Sequence, residues 1–183
     1  MALWGKSTSA ASRPKFVVDN TDAQGSAGAR EDVYATTAGW VQTSGKGHSG
    51  NDNSSATPEV LVCIRNLSGT LGAANILSVD FTAGEYARGE TFDIVLTYDE
   101  AITVTSAAWS ADQVISNKVY FDIDNYGPTD MASDGGLKMQ YYSGSGTNTL
   151  TFRGTIPNTA VAGGRLGHGT YTLATNGSSA LAD

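Results

Sequence analysis

The sequence predicts an all-β chain: an antiparallel β-sandwich over residues 76–183, preceded by an extended N-terminal arm and docking segment over residues 1–75. Three observations carry that expectation. From Leu137 to Ile156, LKMQYYSGSGTNTLTFRGTI, apolar residues alternate with polar ones on both sides of a Ser-Gly-Ser-Gly-Thr loop, the pattern of a hairpin with one buried face. Upstream of it, from Ile76, short alternating runs recur between turn residues, without a helical stripe. Before Ile76 the character changes to Gly/Ser-rich segments, isolated aromatics and one unbroken apolar run, VLVCI.

Taken in order, residues 1–30 hold Trp4, Arg13-Pro14 and the small-residue run AQGSAGA. Pro14 pushes Arg13 toward extended geometry, and Phe16-Val17-Val18 suits one short strand. Such a segment buries too little surface to hold itself in place. It reads either as a loose terminus or as an arm ordered on a partner. Gly5-Lys6-Ser7-Thr8 resembles the end of a phosphate-binding loop, but the Gly that the motif needs five residues earlier is not in the sequence, so the match is set aside.

Val33, Tyr34, Trp40 and Val41 sit among β-favouring Thr residues in DVYATTAGWVQT, Asp32 to Thr43. A Gly/Ser/Asn/Asp loop follows from Ser44 to Pro58. In EVLVCIRNL, Glu59 to Leu67, the absence of alternation predicts a strand buried on both faces or covered by a partner. Cys63 inside it reads as a small core residue. Ser68 to Asn75, SGTLGAAN, reads as a hinge. Beyond it, Leu77, Val79 and Phe81 alternate; Phe92, Ile94, Leu96 and Tyr98 follow on one face; Asp99-Glu100 mark a turn; and Ile102 and Val104 resume. Val119, Phe121 and Ile123, the central hairpin, and Tyr171 with Leu173 complete six or seven short strands, which indicates a sandwich. The Cys pair of immunoglobulin domains is missing, so this core must hold by packing alone.

Charge narrows the function classes. The chain carries a net charge of −7, which argues against nucleic acid as a partner, because phosphate binding needs a basic face. Residues 1–75 balance six Lys/Arg against six Asp/Glu, whereas residues 76–183 set five against twelve, so the whole deficit sits in the second segment. A neutral arm that docks and an acidic module that faces solvent would divide the charge this way; simple solubility would do so equally. The start of the chain has no apolar run of signal-peptide type, and no stretch approaches the roughly 20 apolar residues of a membrane span, so no membrane role is expected. The single Cys63 rules out an internal disulfide framework.

No catalytic set emerges. His48 and His168 are exposed-loop residues by context, without metal-ligand spacing, and sequence places neither beside a particular Ser. Asp122-Ile-Asp124-Asn-Tyr-Gly127 begins like a calcium loop, but Tyr126 and Ser133 stand where ligands are required. A looser carboxylate site from Asp122, Asp124, Asp130 and Asp134 is the alternative to a solvated acidic loop. Trp109 reads as core, or else as part of a glycan-binding surface.

Two resemblances extend this reading. ILSVDF, YARGETFDIVLTYDEAITV and LKMQYYSGSGTNTLTF, over roughly residues 76–175, resemble bacterial immunoglobulin-like modules repeated in adhesins. MALWGKSTSAASRPKF, with AREDVYATTAGWV and PEVLVCIRNL, is similar to the N-terminal segment of small virion structural proteins of tailed phages of marine bacteria. Together they imply a capsid decoration (cement) protein on the capsid exterior, with no cofactor, metal or enzymatic activity. It would dock on the major capsid protein, and on neighbouring copies of itself, while an acidic immunoglobulin-like domain projects. Aromatic anchors dominate interface energy and cations pair with acidic shells, so the partner-binding residues expected are Trp4, Arg13, Lys15, Phe16, Arg30, Tyr34 and Trp40. A tail, neck or fibre-associated protein has the same arm logic; a glycan-binding adhesin module would use the sandwich instead.

Overall fold

The computed structural model describes residues 13–14, 32–45, 53–71, 73–126, 133–158, 163, 165–167 and 173–182. Within them the chain is mostly β, in a mixed and open sheet, with one helical turn, α1 (Ser68–Leu71). Two compact units emerge: Met1–Leu77 with Tyr98–Ala101, and Ser78–Thr97 with Ile102–Ala182.

The first unit is built on β1 (Val33–Thr36), β2 (Gly39–Gln42) and β3 (Glu59–Cys63). β1 and β2 form an antiparallel hairpin from Val33↔Gln42 to Thr36↔Gly39. Thr36 Oγ1 closes its turn by accepting from the Ala38 N–H (3.1 Å) and donating to the Gly39 carbonyl (3.0 Å). Gly39 has φ +132°, and a Cβ there would lie 2.0 Å from the Val62 carbonyl oxygen, so only glycine lets β3 approach. Val33, Ala35, Trp40 and Leu67 are fully buried together, with Leu61, Val62, Ile64 and Leu71 half-buried against them. This is the core on which the four-residue α1, too short to be stable alone, is held. The segment expected as a hinge thus carries α1, and its end is anchored: Asn75 donates its N–H and Nδ2 to the Asp99 carboxylate at 2.8 and 3.0 Å.

The second unit uses β4 (Ile76–Phe81), β5 (Thr91–Thr105), β6 (Val119–Tyr126), β7 (Ser133–Ser143), β8 (Thr147–Thr155), β9 (Arg165–Gly167), β10 (Ala174–Thr175) and β11 (Ala180–Ala182), apart from the stretches of β4 and β5 that belong to the first. Its strands run in the order β10-β6-β7-β8-β5, with β9 on β6 and both β4 and β11 on β5. The β5–β8, β6–β7, β7–β8, β6–β9, β10–β6 and β11–β5 ladders are all antiparallel. The β7–β8 hairpin lies where the alternation and Gly-rich loop predict it. Gly144, at φ +109°, has no room for a Cβ, which would meet the Thr149 carbonyl oxygen at 2.0 Å. Inside, Phe121 and Phe152 meet edge-on at 5.0 Å between centroids, and Tyr141 meets Phe152 at 6.1 Å.

One expectation is corrected here. Asp99 and Glu100 do not end the strand; β5 continues through them, with both residues buried and a register shift against β8 between Thr97 and Ile102. Asn75 supplies donors to the Asp99 carboxylate, and the Glu100 backbone pairs in parallel with Ala35, so both residues belong to the sheet rather than to a turn. The same stretch holds Tyr98, whose hydroxyl is pushed up to about 12 by burial and stays neutral at any ordinary pH.

Lys118 is a second buried polar feature. Its ammonium donates to Gln140 Oε1 at 2.6 Å and to Ser110 Oγ at 2.5 Å, and Ser110 Oγ in turn donates to the Asp112 carboxylate. That bond and the Val114 N–H hold Asp112 below the usual carboxylate range. Gln140→Leu takes one of two acceptors from a buried ammonium, a loss of about 2 kcal/mol that outweighs the relief of removing the unpartnered Nε2. Adding Lys118→Met is expected to recover most of that loss, because the pair is then apolar. Urea denaturation of the two variants checks this; a double variant no more stable than Gln140→Leu refutes it.

Candidate partner-binding surface

Of the seven residues expected to bind a partner, Trp4, Lys15, Phe16 and Arg30 lie outside the described residues, as do the Phe16–Val18 strand, His48 and His168. Arg13 is described and is buried, 4 % exposed, beside the buried Pro14. Tyr34 lies on β1 and Trp40 on β2, and both are buried. Trp40 is fully enclosed by the first unit's core, and burial raises the Tyr34 hydroxyl pKa. In the isolated chain neither ring offers surface to a partner.

What the first unit does offer is β3. Its continuous apolar run is neither buried on both faces nor alternating: Val60 is 44 % exposed, Leu61 and Val62 are half-buried, and Cys63 is exposed. Cys63 is therefore not the core residue its neighbours suggested. Leu61, Val62 and Ile64 already fill the space over Trp40, and Cys63 falls on the opposite side. β2 pairs with one edge of β3, with a bulge that skips Leu61 between Trp40↔Val62 and Val41↔Val60. Among the described residues no strand pairs with the other edge. The signal was present in the sequence as an apolar run flanked by charges; which of the two readings applied needed the neighbours.

The second unit has a different surface cluster around Trp109, which is half-buried rather than core. Its Nε1 donates to the Arg153 carbonyl at 3.1 Å and its ring stands edge-on to Tyr142, 6.3 Å away. The Arg153 guanidinium covers the Tyr142 ring at 3.7 Å and is held by both oxygens of Asp93 at 2.7 Å. Those charge-assisted bonds keep Arg153 still more firmly protonated than a free arginine. A sugar-stacking platform needs an open ring face, and here Arg153 occupies one face of Tyr142.

Of the looser carboxylate site only the Asp122 side chain is described; those of Asp124 and Asp134 lie outside the described residues. Asp122 is ion-paired with Lys138 across β6 and β7, Asp130 lies outside the described residues, and among the described residues no group of three His, Cys, Asp or Glu is placed to hold a metal ion. No helix among them is long and apolar enough to cross a membrane. Comparison with protein-family models, curated proteins and solved structures finds no match.

Proposed function

We propose that this chain is a structural virion protein, a capsid decoration protein that attaches through its N-terminal segment and projects an acidic domain of immunoglobulin-like sandwich type. The observation that carries the reading is β3: among the described residues, a small unit with its own core still leaves an apolar strand uncovered at a sheet edge. Such an edge is a liability in a solitary protein and an asset in an assembling one. The charge partition agrees, with a neutral N-terminal segment and the entire net −7 in the remainder. The period-two burial of β5 and β8 supports a sheet with one covered face, as a sandwich requires.

Attachment to the major capsid protein is read as extended contact by residues 1–75, with Trp4, Lys15, Phe16 and Arg30 as candidate anchors. Trp40 acts from within by holding β3 in place. Quantitative mass spectrometry of purified particles, with the major capsid protein as internal standard, tests the reading. Hundreds of copies per particle, in simple proportion to the shell, are expected. A dozen or so would move the chain to the tail, neck or fibres, and absence from particles would overturn the proposal.

A further inference from the structure

We propose that the edge of β3 that no strand among the described residues covers pairs with β3 of a second copy of this chain, antiparallel about a two-fold axis through Val62. The stretch from Glu59 to Arg65 reads EVLVCIR, apolar throughout except for one acid and one base at its ends. Laid antiparallel on itself about Val62, it sets Glu59 opposite the partner's Arg65 and Arg65 opposite the partner's Glu59. Val60 then faces the partner's Ile64, Leu61 the partner's Cys63, and Val62 its own counterpart. Both charged side chains are exposed, and so is Val60. β3 ends at Cys63, the Ile64 N–H still bonds the Ala38 carbonyl at 3.2 Å, and Arg65 opens the following turn, so its pairing with the partner's Glu59 is through the side chains rather than the backbone ladder.

Three physical arguments favour this occupant. Edges meant to stay solitary carry Lys, Pro or an inward charge along their length, and β3 has none between its ends. A two-fold contact uses one patch twice, so a single self-complementary sequence supplies two opposite-charge pairs and a continuous apolar seam. The bulge at Leu61 adds local twist that disfavours pairing with an arbitrary flat strand, whereas an identical strand carries the same twist. The pairing deepens the assembly reading by naming the partner at β3. It is tested on the purified chain, so its failure is separate from a failure of the particle experiment.

Sedimentation of the full chain over a concentration series is expected to show a monomer–dimer equilibrium. Glu59→Arg alone, or Arg65→Glu alone, replaces two opposite-charge pairs by two like-charge pairs and is expected to weaken the dimer at least about tenfold. The double exchange Glu59→Arg/Arg65→Glu restores opposition with the signs reversed and is expected to restore the dimer. Val62→Cys in a Cys63→Ser background is expected to give a disulfide-linked dimer on mild oxidation, because each Val62 faces its own counterpart. A chain that stays monomeric, a dimer indifferent to the single charge changes, or a double variant as weak as the singles would each overturn the pairing.

Discussion

Trp40→Ala is expected to lower the stability of the first unit by about 3–5 kcal/mol, the usual cost of deleting a large buried aromatic. Trp40 is completely enclosed by Val33, Ala35, Leu67 and the inner faces of Leu61, Val62 and Ile64, so its loss leaves a cavity under β3 that a short hairpin cannot close. Trp40→Phe keeps most of that volume and removes Nε1, a buried donor with no partner among the described residues, so it is expected to cost far less. Hydrogen exchange measured on β1 and β2 amides separates the two. Protection should collapse in the Ala variant and largely persist in the Phe variant. A residue acting only as an anchor at a partner interface would give the opposite pattern, weakening binding while leaving protection in the isolated chain unchanged, and that result would refute the core assignment.

Phe152→Ala should have a comparable effect on the second unit, about 3–5 kcal/mol in chemical denaturation. Phe152 lies at the centre of β8, fully buried, with Phe121 and Tyr141 both edge-on to it. Part of the loss is burial, and on the order of 1 kcal/mol is the aromatic geometry itself. A double-mutant cycle with Phe121→Leu and Phe152→Leu isolates that part, since leucine keeps most of the apolar volume and abolishes the ring contact. A coupling indistinguishable from zero would mean that the two rings merely fill space.

Much of the second unit was legible because its signals are local. In β5 and β8 the apolar residues at every second position are the buried ones, and the turn between β7 and β8 falls at the Gly residues whose backbone conformation excludes side chains. Asp99-Glu100 misled for an equally physical reason. Two adjacent acids ordinarily mark solvent, and their burial depends on Asn75 and on the pairing of Ala35 with Glu100, partners far away in the chain. The candidate site was legible only in outline. Trp40 and Tyr142 are both exposed-or-buried aromatics as far as composition goes, yet the structure encloses the first and leaves the second 46 % exposed.

The sequence by itself determined the β class, the strands that alternate, the position of the central hairpin and the placement of all net charge beyond residue 75, because each follows from neighbours a few positions apart. The tertiary structure decided which apolar residues are covered. VLVCI is one unbroken run in the sequence, but β2 and the core around Trp40 take only one side of it, leaving Val60 and Cys63 outward and one edge of β3 without a strand among the described residues. Burial is a property of the elements brought against a strand, not of the strand, and those elements come from elsewhere in the chain.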